Sequence, residues 1–85
     1  MKLRVTERFA RRYRSLPREI QERVDAQLEL LLENPRHPSL RSKKMQGTSR
    51  IWELRVTQGY RLTFQIEGEV YELRTVGTHD ILREP

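Results

Sequence analysis

The fold is decided by the stretch that runs from Arg50-Ile-Trp-Glu-Leu-Arg-Val56, through Gly59-Tyr-Arg-Leu-Thr-Phe-Gln-Ile66, to Val70-Tyr-Glu-Leu-Arg-Thr-Val-Gly-Thr-His-Asp80. Side chains alternate between the two faces of a strand. A period of two therefore sends Leu62, Phe64 and Ile66 to one face and Arg61, Thr63 and Gln65 to the other. The same count turns Trp52, Leu54 and Val56 inward, with Glu53 and Arg55 outward. Gln58-Gly59 and Glu67-Gly68 separate the runs, and an X-Gly pair between alternating segments signals a tight hairpin. Three strands joined in this way form an antiparallel meander. One face covers a core; the other is lined by arginine and followed by a histidine, a combination suited to holding phosphate.

Upstream of the meander, Lys2 to Val5 alternates polar and apolar residues and reads as a short first strand. Thr6 is a good N-cap for a helix whose apolar positions are Phe9, Ala10, Tyr13 and Leu16. Ser15 and Pro17 mark a break. A longer helix follows, with Ile20, Val24, Leu28, Leu31 and Leu32 at helical spacing. Asn34-Pro35 ends it, because the residue before a proline avoids helical dihedrals. Pro35 to Ser49 carries few apolar residues and reads as a surface loop, turned by Gly47 into the next strand. The expected fold is a single α+β domain over residues 1–85: an N-terminal strand and a two-helix hairpin packed on an antiparallel three- to four-stranded sheet.

Eighty-five residues support one modest core. Seventeen Lys and Arg against twelve Asp and Glu leave a net charge of +5, which favours polyanionic partners. Cysteine is absent, which removes disulfides and thiolate metal sites. No segment approaches the ~20 apolar residues of a membrane span, so the expectation is a cytoplasmic protein without a membrane partner. There is no phosphate-binding glycine loop, nucleophile elbow or metal-ligand spacing. His37 and His79 with scattered acids do not make a metal site, and no cofactor is expected. RNA cleavage fits metal-independent chemistry: the ribose 2′-hydroxyl supplies the nucleophile, so the protein needs cations for the phosphorane and groups that move protons.

Arg55, Arg61 and Arg74 belong to three different strands, and neighbouring strands lie ~5 Å apart, so the three can converge on one face. Guanidinium groups bind phosphate oxygens in pairs. The alternative is that Arg55 and Arg74 pair with Glu53 and Glu72 on a solvated face. A histidine side chain exchanges protons near neutral pH, so His79 is a candidate to give or take one, with Asp80 beside it as a candidate to orient the ring; it also reads as a plain surface residue. Lys43 and Lys44, with Arg41 and Arg50, form either a solvated charge run or a grip on a nucleic-acid backbone. Arg11, Arg12 and Arg14 form a separate cluster on the first helix, facing solvent or an acidic partner.

With these residues in view, the chain resembles the RelE/ParE superfamily of type II toxin–antitoxin toxins. The likeness covers nearly the whole chain. It is carried by Trp52-Glu-Leu-Arg55-Val56, Gly59-Tyr60-Arg61-Leu62 and Val76-Gly77-Thr78-His79-Asp80 in this order and spacing. The resemblance to RelE-type members implies ribosome-dependent cleavage of mRNA. Arg61 matches the arginine of their Gly-Tyr-Arg motif, which stabilises the transition state, and His79 takes the place of a catalytic histidine in a YafQ-like branch. Arg55 falls where that branch carries a further histidine. The resulting site has His79, Arg61 and Arg55 as catalytic residues and Lys43, Lys44, Arg50 and Arg74 as RNA-binding residues.

The chain also departs from RelE. Trp52 and Leu54 stand where RelE has lysines, and no aromatic residue follows Tyr71, where RelE has a tail tyrosine. The identity of the general base is left open. The partners implied are a cognate antitoxin lying across the basic surface and the helices, mRNA with the ribosome, and operator DNA only through the toxin–antitoxin complex. The competing readings are a ParE-like inhibitor of DNA gyrase and a non-catalytic binding member of the same fold.

Overall fold

Thr6 joins the first strand to the first helix, and its hydroxyl serves both. In the computed structural model, which describes residues 1–47 and 50–85, β1 spans Lys2–Val5 and α1 spans Glu7–Arg14. Thr6 Oγ1 accepts from the Phe9 amide at 3.2 Å and donates to the Leu73 carbonyl at 2.7 Å. One side chain thus caps the helix and ties it to a neighbouring strand. The second helix, α2, spans Arg18–Glu33, with Pro17 ahead of it and Asn34, which leaves the helical region before Pro35, behind it. Tyr13 Oη donates to Asp25 Oδ1, and Gln21 Nε2 donates to the Tyr13 carbonyl, each at 2.8 Å, fastening the two helices together. No helix among the described residues is long and apolar enough to cross a membrane.

The meander forms as its alternation dictates. β3 spans Ile51–Arg55, β4 Tyr60–Glu67 and β5 Val70–Thr78, paired antiparallel in that order. Gly68 is the first residue of the two-residue turn between β4 and β5, and its φ of 59° is one that glycine adopts freely. Among the described residues the sheet has five strands in the order β1-β5-β4-β3-β2, one more than the upper expectation. The added strand is β2, Lys43–Lys44, paired antiparallel to β3, while β1 joins the far edge parallel to β5.

The segment expected as a surface loop is therefore more structured than its composition implies. It contains a 3-10 helix, Pro38–Leu40, which buries Leu40 completely, and then β2. A lone leucine in a polar run carries no period, so this anchor is set by packing against the core rather than by pattern. The loop's expected end at Ser49, like Thr48, lies outside the described residues.

Phe9, Val24 and Leu31 from the helices pack with Leu54, Val56, Leu62, Phe64, Leu73 and Val76 from the sheet region. Trp52 is half-buried against them. Ile66, expected to point inward, remains 44% exposed at the end of its strand.

The opposite face departs from the open, arginine-lined surface that alternation implies. A second 3-10 helix, His79–Arg83, folds back over β4 and β5. Thr63 and Thr75 are fully buried on that side, and Thr63 Oγ1 donates to the Pro85 carbonyl at 3.0 Å. Ile81 lies over Gly77 so closely that a Cβ there would stand 2.8 Å from Ile81 Cγ2. The outer face thus has a covered half, β5 and β4, and an open half toward β3 and β2.

Candidate functional site

On the open half, Arg55 and Arg61 stand directly opposite each other in the β3–β4 ladder. Cβ atoms of such a pair lie roughly 5 Å apart, and like charges placed there destabilise a sheet. Arg41 joins them, with Lys43 and Glu53, around a cavity of about 260 Å³. Burial, and then the guanidiniums of Arg41 and Arg61, lower the Arg55 pKa from its usual value. Its Nε is buried with no hydrogen-bond partner among the described residues. A cationic cluster held together against its own repulsion suits an anion.

The surrounding chain fixes each member of this cluster. Gln27, buried in α2, donates through Nε2 to the Arg55 carbonyl at 2.8 Å and to the Ser39 carbonyl at 3.3 Å, coupling the end of β3 to the first 3-10 helix. Arg41 follows that helix in the left-handed conformation, at φ 46°, with its amide on the Pro38 carbonyl. Arg61 curls back on its own hairpin: Nη1 donates to the carbonyls of Thr57, Gln58 and Tyr60 at 2.7, 3.1 and 3.0 Å. The β3–β4 turn thereby sets the position of its guanidinium.

His79 opens the second 3-10 helix and is exposed. Its ring looks onto a cavity of about 380 Å³ that it shares with Lys43 and Glu53. Among the described residues no hydrogen bond joins His79 to Asp80. Lys43 and Glu53 therefore line both cavities, with the arginines on one side of them and the histidine on the other. Glu53 is buried and paired with Lys43 at 3.2 Å. No group of three or more His, Cys, Asp or Glu among the described residues is placed to hold a metal ion.

Of the residues singled out in the sequence, Arg55 and Arg61 come together, Lys43 joins them, and His79 faces the adjoining cavity. Lys44 borders the His79 cavity as well, but its Nζ reaches away from the arginines, to 5.5 Å from the centre of the Trp52 ring. Arg50 borders a depression on that same side with Lys44 and Trp52. Arg74 is not brought to the cluster. It is the extra residue of a β-bulge, where the register steps from Thr63–Thr75 to Phe64–Leu73, and its guanidinium donates to Gln65 Oε1 at 3.0 Å and the Pro85 carbonyl at 2.9 Å. Neither alternative pairing forms either, because Glu53 binds Lys43 and Glu72 binds Arg4.

Two residues of the cluster lie outside the predicted set. Arg41 reads in the sequence as part of the Lys43–Lys44 charge run, a solvated run or a backbone grip, and its place beside Arg55 depends on buried Leu40. Glu53 was placed on the correct face by alternation, but nothing local signals that β2 and Lys43 would bury it.

Comparison with known proteins agrees with this architecture. The family described as "ParE toxin of type II toxin-antitoxin system, parDE" matches residues 3–82. Among solved structures, YafQ from E. coli BL21(DE3) superposes with a TM-score of 0.79 at 13% identity, over 94% of each chain. RelE in the intact E. coli RelBE toxin–antitoxin complex gives a TM-score of 0.72 at 28% identity, over 89% of this chain and 93% of that one. The archaeal RelE–RelB complex from Pyrococcus horikoshii gives 0.74 at 16% identity, over 91% and 92%. A search of curated protein sequences found no match. With residues 3–82 of the chain matched by the family and the fold shared with RelE and YafQ, the chain belongs to the ParE toxin family, within the RelE/ParE superfamily of type II toxin–antitoxin toxins.

Proposed function

We propose that this toxin is an endoribonuclease that cleaves mRNA on the ribosome in the cytoplasm and so arrests translation. The observation that supports this reading above all is the cross-strand pair of Arg55 and Arg61, with Arg41 and Lys43 beside it and His79 across the adjoining cavity. In this reading Arg61 stabilises the pentacovalent phosphate, where negative charge grows during attack, and Arg55 holds the scissile phosphate. His79 transfers a proton. Lys43 continues the charge toward the RNA backbone, with Lys44 and Arg50 extending it around the β2–β3 edge. Arg74 contributes at the margin, since Gln65 and Pro85 already engage its guanidinium. A cognate antitoxin is the expected partner, as RelE and YafQ have in the RelBE and DinJ–YafQ complexes. An antitoxin segment across the cationic half would block the site.

Expression of the wild type against His79→Ala and Arg61→Ala, with mapping of 5′ ends in cellular mRNA, tests this. Both variants should lose growth arrest and cleavage by at least about a hundredfold, the scale of a lost acid–base or electrostatic contribution. Full arrest and cleavage in both would remove the site. The match to the ParE family favours one other reading, an inhibitor of DNA gyrase. In that case purified toxin would block supercoiling while cellular mRNA stayed intact.

A further inference from the structure

A cavity of about 430 Å³ lies on the core side of the sheet, between the last turn of α2 and the strands β3, β4 and β5. Successive residues of a strand face opposite ways, so Trp52 on its wall points away from the side that carries Arg55 and Arg61. The wall is aromatic. The Trp52 and Phe64 rings stack with centres 6.3 Å apart, and Tyr71 meets Phe64 edge-on at 5.5 Å. Leu31 closes the helical side, and Ile66, 44% exposed, stands at the rim. Three polar groups of this cavity have no partner among the described residues. Ser42 Oγ is buried and makes no hydrogen bond. Tyr71 is only 4% exposed, and its hydroxyl makes none either. Burial pushes the Tyr71 phenol up, which keeps it a neutral O–H donor. Arg36, exposed at the mouth, forms no hydrogen bond or ion pair. Buried hydroxyls in folded proteins ordinarily find partners, and an apolar pocket with a few convergent polar groups is the usual form of a ligand site.

We infer that this cavity binds a small monocarboxylic acid with an aromatic or branched aliphatic body, its carboxylate held by Arg36. The apolar body lies against Leu31, Trp52 and Phe64, where removal of apolar surface from water supplies most of the affinity. The carboxylate at the mouth accepts a pair of hydrogen bonds from the Arg36 guanidinium, a geometry in which the planar fork and the carboxylate match. The Tyr71 and Ser42 hydroxyls serve one polar substituent on the body. The volume decides the size of the occupant. It falls at the small end of the roughly 300–1,000 Å³ typical of ligand pockets, room for one ring and a short chain rather than for a helix or strand of a partner. This site is independent of the nuclease reading, since none of its residues belongs to the cationic half.

The test titrates the whole chain with 3-phenylpropionate, and with 3-phenylpropanamide as its neutral counterpart. Trp52 is the single tryptophan, so its fluorescence reports occupancy of the cavity directly. The acid should give a saturable change with a Kd of about 1 mM or tighter, and the amide should bind about tenfold more weakly. Arg36→Gln, at an exposed position that the fold does not need, should bring the acid to the amide's affinity and leave the amide unchanged. Ile66→Glu, which sets a carboxylate at the rim, should weaken the acid more than the amide. Arg55→Gln should leave the acid's Kd within about twofold of wild type, because that arginine lies on the other face. No saturable change up to about 10 mM acid, an acid no tighter than the amide, or an unchanged acid affinity in Arg36→Gln would each overturn the site. So would loss of acid binding in Arg55→Gln, which would move the carboxylate to the cationic cluster. A Trp52 signal that shifts on dilution of the protein alone would give the cavity to a second copy instead. A capped acidic peptide with one central phenylalanine that binds more than about tenfold tighter than the acid would give it to a polypeptide partner.

Discussion

Arg55 opposite Arg61 is a conflict that the free protein tolerates. Directly opposed like charges cost roughly 0.2–1 kcal/mol in a sheet, and here Arg41 adds to the repulsion. The position is held by backbone bonds: Gln27 on the Arg55 carbonyl, and Arg61 Nη1 on its own turn. Arg55→Gln is therefore expected to leave the free toxin as stable as wild type or more stable by up to about 1 kcal/mol, measured by urea unfolding. The same variant should lose the stabilisation that phosphate gives. In wild type, phosphate at tenfold its Kd should add about 1.4 kcal/mol over chloride at matched ionic strength. Gln27→Ala behaves oppositely. It strands the Arg55 and Ser39 carbonyls and should cost about 1–3 kcal/mol without regard to the anion present.

The sheet and both long helices were legible because their periods persist: two for the meander, 3.6 for α1 and α2. The elements that shape the site are shorter than any period can reveal. The 3-10 helix at Pro38–Leu40 carries Arg41, β2 carries Lys43, and the closing 3-10 helix carries His79. Each forms because of what it packs on. Leu40 fills the core, Lys43 pairs with Glu53, and Ile81 sits on Gly77. The bulge that turns Arg74 toward Pro85 is likewise a property of pairing, invisible in one strand alone. Gly77 makes the point testable. Gly77→Ala places a methyl 2.8 Å from Ile81 Cγ2, and it should cost about 1–3 kcal/mol by overpacking. On the proposed nuclease reading it should also lift the His79-bearing helix, so cleavage falls further than phosphate binding does. The double variant Gly77→Ala/Ile81→Val, which removes a methyl group, should restore part of both losses. Equal loss of cleavage and phosphate binding would mean that the helix does not position His79.

The two faces of the molecule divide its work: the helices and core occupy one side of the sheet, and the cationic cluster occupies the open half of the other. The chain's +5 charge is not confined to that half, since Arg11, Arg12 and Arg14 are exposed on α1. Net charge alone therefore cannot say which surface meets a polyanion, but salt dependence can. Each phosphate contact with single-stranded nucleic acid contributes about −0.7 to the slope of log K against log salt. If Arg41, Lys43, Arg55 and Arg61 carry the binding, the slope for a short RNA should be about −2.8 by that rule. Fluorescence anisotropy across a potassium chloride series measures it. Arg55→Gln and Lys43→Gln should each make the slope shallower by about 0.7, while Arg11→Gln and Arg14→Gln should leave it unchanged. The reverse outcome, with the slope carried by the α1 arginines, would move RNA to the helical side. It would also leave the Arg55–Arg61 repulsion without a ligand to relieve it.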